Sequence, residues 1–250
     1  MDGTAGETKL HSYIAQEFKS ELTMSEQRKQ LYDTVLAKAC LKQDVYANTL
    51  EMFKELKAVL MEVAGDLRGH CQSDGRLEFH YRDRGDFQAE LKVAGDVIIF
   101  HMHTNVFQFD KSNSVWHSSY IKDNPENSYV GIINVYNFLS DSFKYQRVAD
   151  HGYLIARIFL NRENHFLVQG KRQLGYQYND FLNSKIDRVA LRNIIDSTIQ
   201  YTLEFDLYTP PYENMQLVTV DAIQSVTHST DLATGKRLGF RFGLEDDVTS

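Results

Sequence analysis

Hydrophobic positions in this chain follow two periods, and the change between them falls near residue 65. Before it, apolar residues recur at helical spacing. Leu10, Tyr13, Ile14, Phe18 and Leu22 form one set, and Leu31, Tyr32, Val35 and Leu36 a second. Leu50, Phe53, Leu56, Leu60 and Val63 form a third. Thr23-Met24-Ser25-Glu26 has the form of a capping box, in which the threonine hydroxyl accepts an early backbone N–H and the glutamate reaches back to the cap. The spacing therefore predicts three amphipathic helices over residues 8–64, parted at the capping box and at Asp44 and ending near Gly65. Their outer faces are charged, so the apolar faces need cover from each other, from a sheet or from a partner.

From Leu77 to Tyr178 the period shortens to two. Leu77, Phe79 and Tyr81 alternate with Glu78, His80 and Arg82. After a turn at Arg84-Gly85-Asp86, Phe87, Ala89, Leu91 and Val93 alternate with Gln88, Glu90 and Lys92. Such alternation predicts strands with one dry and one wet face. A turn at Ala94-Gly95-Asp96 leads into Val97-Ile98-Ile99-Phe100-His101-Met102-His103, apolar on both faces apart from its histidines. It reads as a central strand running on to Phe107 and Phe109, which would share the face of His101 and His103.

Further strands are predicted at 114–121, 129–138, 153–160 and 165–170, the last two joined by Asn161-Arg162-Glu163-Asn164. Residues 139–149 suit a short helix or a strand equally. Ser184-Lys185-Ile186-Asp187 opens a helix with Val189, Ile195, Ile199 and Leu203 spaced for burial, and Pro210-Pro211 stops it. A last hairpin is expected around Thr234-Gly235-Lys236, before a fraying acidic end at Glu245-Asp246-Asp247. The fold predicted is α+β: an antiparallel, meander-like sheet of about six or seven strands covered by helices, with a three-helix N-terminal segment. Residues 1–65 form that helical segment and 66–250 the main domain.

Composition narrows the function. A net charge of −7 argues against binding nucleic acid through bulk electrostatics. The start of the chain lacks the basic and apolar stretches of a secretion signal, and no window reaches the length of a membrane span. Cys40 and Cys71 lie in unlike contexts and form no CxxC, so the cytoplasm is the compartment expected. P-loop and Rossmann glycine patterns are absent, as is a Gly-x-Ser-x-Gly elbow.

The candidate chemistry centres on His101 and His103. Residues i and i+2 of a strand share a face about 6.6 Å apart at Cα, a spacing at which two imidazoles can hold one divalent metal. They can equally contact a small ligand, or be hydrogen-bonded core residues. Gly95-x5-His101-x-His103 resembles the opening of the first cupin motif, with Gln108 about where that motif has glutamate and no match to its second motif. Asn134, Tyr136 and Asn137 lie in an otherwise apolar strand, and the asparagines, if buried, mark a hydrogen-bond network or a ligand contact. Asp150 followed by Phe166-Leu167-Val168-Gln169-Gly170-Lys171 resembles the PD-(D/E)xK metal-dependent nucleases, although Lys171 opposite Leu154 and Gln169 opposite Ala156 would leave Asp150 about 13 Å from the lysine. Arg162, Glu163, His165, Lys171 and Arg172 are a candidate anion cluster or a solvated hairpin tip.

Two function classes result. One is a non-enzymatic binding or interaction module, with His101, His103, Asn134 and Tyr136 as ligand contacts and the N-terminal helices joining it to a protein partner or a second copy. The other is a metal-dependent enzyme built on His101 and His103, or a divergent metal-dependent nuclease.

Overall fold

The computed structural model describes residues 4–220 apart from Gln72, Tyr208, Pro210 and Val218, with side chains from Glu26 onward except Asn214 and Met215. The hairpin expected around Gly235 and the acidic end lie outside the described residues. Two compact units divide the chain, Met1–Asp44 and Val45–Ser250.

In place of three helices there is one, α1, Thr4–His70. No glycine or proline falls between residues 7 and 64, so nothing in that stretch breaks the backbone pattern. Thr23 and Glu26 are tolerated inside a helix, and a capping-box pattern marks a start only where the preceding residues leave the helix. Gly65 and Gly69 fall within the last turns, and the helix closes with the N–H of Cys71 donating to the carbonyl of Leu67.

In the unit Val45–Ser250, the C-terminal half of α1 buries Val45, Phe53, Leu56, Leu60 and Val63 along one stripe. That stripe packs on an antiparallel sheet. Its strands are β1 (Phe79–Asp83), β2 (Gln88–Val93), β3 (Asp96–Met102), β4 (Phe107–Gln108), β5 (Tyr129–Leu139), β6 (Tyr153–Leu160) and β7 (Phe166–Gly170). The order is β1-β2-β3-β5-β6-β7, with the two-residue β4 pairing β5. All pairings are antiparallel, as the alternation predicts.

The residues 114–121 are not a strand. Asn113 and Ser118 accept N–H groups from Val115 and Ile121, which starts a 3-10 turn at Ser114–His117 and the short helix α2 at Ser119–Asp123. Residues 140–144 form a short helix, α3 (Ser140–Lys144), and α4 (Gln173–Gln177) follows β7. The helix α5 (Arg188–Leu203) is capped by Asp187, whose carboxylate accepts the N–H of Ala190, rather than by Ser184. A one-turn helix, α6 (Tyr212–Met215), follows α5.

One face of the sheet is dry. Leu91, Ile98, Phe100, Ile133, Ile158 and Val168 pack there beneath α1 and α5. Arg188 of α5 pairs with Glu55 and Glu62 of α1, and Arg192 with Asp66 at 2.7 Å. The other face carries a smaller apolar cluster of Phe109, Val115, Ile121, Ile132, Phe159 and Phe181 over one end. No helix among the described residues is long and apolar enough to cross a membrane.

Candidate functional site

Alternation along β3 sends Ile98, Phe100 and Met102 to the dry face and leaves Val97, Ile99 and His101 on the other. The same parity along β5 separates the two asparagines, since they stand three residues apart. Asn134 lies directly across from His101, and Tyr136 across from Ile99. Asn137 lies across from Ile98 and is buried on the dry side, where its amide donates to Asp96 Oδ1 at 3.2 Å. The register thus brings His101, Asn134 and Tyr136 onto one half-exposed patch.

His103 lies just past β3. Its N–H donates to the carbonyl of Ile132, so it stays beside β5, but the chain turns before Phe107 instead of running on as a strand. The cause is local. His103 Nδ1 accepts the N–H of Asn105 at 3.0 Å, and the ring meets Phe107 edge-on at 4.8 Å. Phe107 is left exposed in β4, while Phe109 enters the second apolar cluster.

That hydrogen bond fixes the chemistry of His103. A neutral imidazole has one nitrogen lone pair, and here Nδ1 uses it on Asn105, leaving Nε2 as the donor. A metal on either nitrogen would have to displace the Asn105 bond or take the Nε2 proton. Burial first, and then the electrostatic influence of His103, hold the His101 imidazole below the ordinary histidine pKa. His101 is therefore neutral at pH 7 and offers one donor and one acceptor. Among the described residues no group of three or more His, Cys, Asp or Glu is placed to hold a metal ion.

The patch is wider than the sequence suggests. The loop between β6 and β7 takes five residues: Leu160 pairs Phe166, and the N–H of Asn161 donates to the carbonyl of His165. Asn161 Oδ1 accepts from both Glu163 and His165 N–H groups, which builds the longer turn. Gln169 therefore faces Arg157, one residue away from the expected partner Ala156, and such a slip moves every side chain to the opposite face.

The result is a polar row across five strands: Gln88, His101, Asn134, Arg157 and Gln169 in register. At the usual inter-strand spacing it runs about 19 Å. Arg157 Nε donates to Gln169 Oε1 at 3.1 Å, and the guanidinium lies over Phe159 at 5.3 Å. On the next rung Glu90 is buried on the same face and held by Arg84 Nε at 2.8 Å and Arg82 at 3.5 Å. The interruption of the apolar run 153–160 by Arg157 is the signal in the sequence that points to this extension.

Other candidate clusters are separated. His165 is buried, with Nδ1 donating to the carbonyl of Phe181 at 3.0 Å and its ring stacked on Tyr120 at 4.4 Å. Arg162 pairs with Glu126, and Lys171 and Arg172 stand past the far end of β7. Asp150 accepts from Ser142 Oγ at 2.6 Å and pairs with Arg147 at 3.1 Å. Comparison of the chain with protein families, curated proteins and solved structures finds no match.

Proposed function

We propose that the protein is a non-enzymatic binding module that recognises a polar ligand, or a polar segment of a partner, along the row from Gln88 through His101 and Asn134 to Gln169. The observation that carries this reading is the row itself: five hydrogen-bonding side chains on successive strands, none fully buried, on a sheet whose opposite face is apolar. Neutral His101 and the three side-chain amides supply both donors and acceptors, which suits an uncharged polar partner, and Arg157 adds a cation. His103 and Tyr136 border the row.

Native mass spectrometry of the untagged chain tests it: an organic ligand that co-purifies with the native protein is lost from a His101→Ala/Asn134→Ala variant of unchanged fold. A co-purifying mass retained in full by that variant refutes the assignment.

Leu31, Tyr32, Val35 and Leu36 on α1 are all more than half exposed, which favours self-association through that stretch as a second activity. Light scattering then gives a dimer or larger species for the native chain and a monomer for Leu31→Glu/Val35→Glu. Two unpaired cysteines, Cys40 and Cys71, accord with a cytoplasmic protein.

A further inference from the structure

Past the end of β7, where Arg172 holds a positive φ of 47°, lies a small chamber that the polar row does not use. It is about 50 Å³ in volume, with Asn137 in its wall together with Tyr153, Lys171, Tyr201 and Phe205. Asn137 is 2% exposed, and its Oδ1 has no hydrogen-bond partner. The amide orientation is fixed, because Nδ2 must face the carboxylate of Asp96. The orphan atom is therefore an acceptor, and a buried acceptor left unpaired is costly unless something with a donor fills the space.

The surroundings specify what that something is. Tyr153 and Phe205 stand 5.9 Å apart and Tyr201 and Phe205 6.5 Å apart, giving an aromatic wall. Leu154, Ile155 and Lys171 are shared with an outer groove of about 250 Å³, which also takes in Arg157 and Gln169. The irregularity in the β5–β6 pairing falls beside Ile155, between Val135 and Tyr136, and opens the strands where the two spaces meet. Lys171 supplies a cation to both spaces, whereas the Arg157 guanidinium is held by Gln169 and Phe159. Arg172, beside Lys171, lies 5.9 Å over the Tyr201 ring. A cationic ligand is disfavoured here, and an anionic one is attracted.

We propose that the chamber and groove form one small-molecule site for an organic anion of about single-ring size that carries a hydroxyl or N–H donor at the end opposite its charge. The donor enters the chamber and bonds Asn137 Oδ1, the body lies against the aromatic wall, and the carboxylate or phosphate rests with Lys171. The chamber alone is too small for a ring, so the ligand has to reach it through the groove. The groove borders Arg157 and Gln169 of the polar row, but the contacts proposed here, with Asn137, the aromatic wall and Lys171, use no member of the row, so the site stands whether or not the row binds anything.

Three probes separate the elements of the claim: 4-hydroxybenzoate, benzoate without the donor, and 4-hydroxybenzyl alcohol without the charge. Binding is read by two-dimensional NMR of the full chain, following the Asn137 side-chain amide. The expected result is that 4-hydroxybenzoate moves that signal, with each of the other two binding about tenfold more weakly. Asn137→Ala equalises 4-hydroxybenzoate and benzoate. The exposed Lys171→Gln substitution, which does not threaten folding, equalises 4-hydroxybenzoate and the alcohol. The proposal is overturned if the three probes bind alike, if none moves the Asn137 amide, or if Lys171→Gln leaves the preference for the anion intact.

Discussion

Thr49 of α1 packs against Gly131 of β5, and replacing the glycine by alanine measures how firmly helix and sheet are docked. A Cβ at Gly131 would stand 2.1 Å from Thr49 Oγ1, 2.7 Å from Thr49 Cγ2 and 2.8 Å from Thr49 Cβ. Optimal carbon contacts are about 3.5–4.0 Å, so all three are severe overlaps. Thr49 has nowhere to go: it is fully buried, and its hydroxyl donates to the carbonyl of Val45 at 2.7 Å.

Overpacking of this kind costs about 1–3 kcal/mol, and a contact with a buried side chain that cannot relax lies at the top of that range. The substitution's own gain in strand propensity offsets only about 0.5–1 kcal/mol of it. The partner residue supplies the control. Thr49→Ala removes two of the three clashing atoms but keeps the Cβ at 2.8 Å. The cost of Gly131→Ala should therefore fall in that background without vanishing, and vanish with Thr49→Gly. Thr49→Gly itself costs about 0.3–0.5 kcal/mol of helix propensity. Urea denaturation followed by circular dichroism gives each free energy, with an unchanged m-value as the check on fold. A Gly131→Ala protein within 0.5 kcal/mol of the native one, or one whose penalty is equal in all three backgrounds, refutes the close packing of α1 on β5; the bound is the ordinary scatter of about 0.5 kcal/mol for harmless substitutions.

Three further outcomes are expected. His101, held below the ordinary histidine pKa, titrates by NMR at lower pH than a free histidine, and His103→Ala raises it. Because the folded state resists protonation there, the stability contribution is complete above the unfolded histidine pKa of about 6.5 and is lost as the pH falls from that value through the folded one. Arg172 holds φ 47° and ψ −126°, a region suited to glycine, while its guanidinium makes an exposed pair with Glu204 and lies over the Tyr201 ring. Arg172→Gly is therefore more stable than Arg172→Ala by about 1 kcal/mol in thermal or urea unfolding, and a more stable alanine variant contradicts the strain. Added Zn²⁺ or Mn²⁺ leaves the His101 and His103 ring signals in place at one equivalent. Uptake of one metal per chain, lost in His101→Ala/His103→Ala, would establish the metal-dependent enzyme instead.

The strands were readable because each has a dry face, and a two-residue period announces it. Residues 153–160 and 165–170 match β6 and β7 to within a residue. Helices were harder. In α5 the buried side chains centre on Leu191, Ile195, Thr198 and Thr202, and on a helical wheel Val189 and Leu203 stand about 120° and 80° away from Ile195. Both are exposed, although their apolar character suggests burial. Local hydrogen bonding decided residues 114–121, where Asn113 and Ser118 turned an apparent strand into helical turns.

The site was legible only in pieces. His101 and Asn134 stood out individually, but their pairing depends on β3 meeting β5 across an intervening 26 residues from His103 to Ser128, and no local pattern encodes that register. Gln169 was visible yet expected opposite Ala156 instead of Arg157, because an Asn161 side chain lengthened a turn by one residue. The unpaired oxygen of Asn137 depends on packing between β5 and the end of α5, which alternation cannot report.

The most direct test of the binding assignment is an NMR titration of the labelled chain with sugars, dipeptides and nucleoside monophosphates. The account predicts that a binder in this set moves the side-chain amide signals of Asn134 and Gln169 together with the His101 ring, and that His101→Ala/Asn134→Ala abolishes its binding. Row signals that stay fixed throughout, while any binder registers elsewhere on the chain, would contradict it.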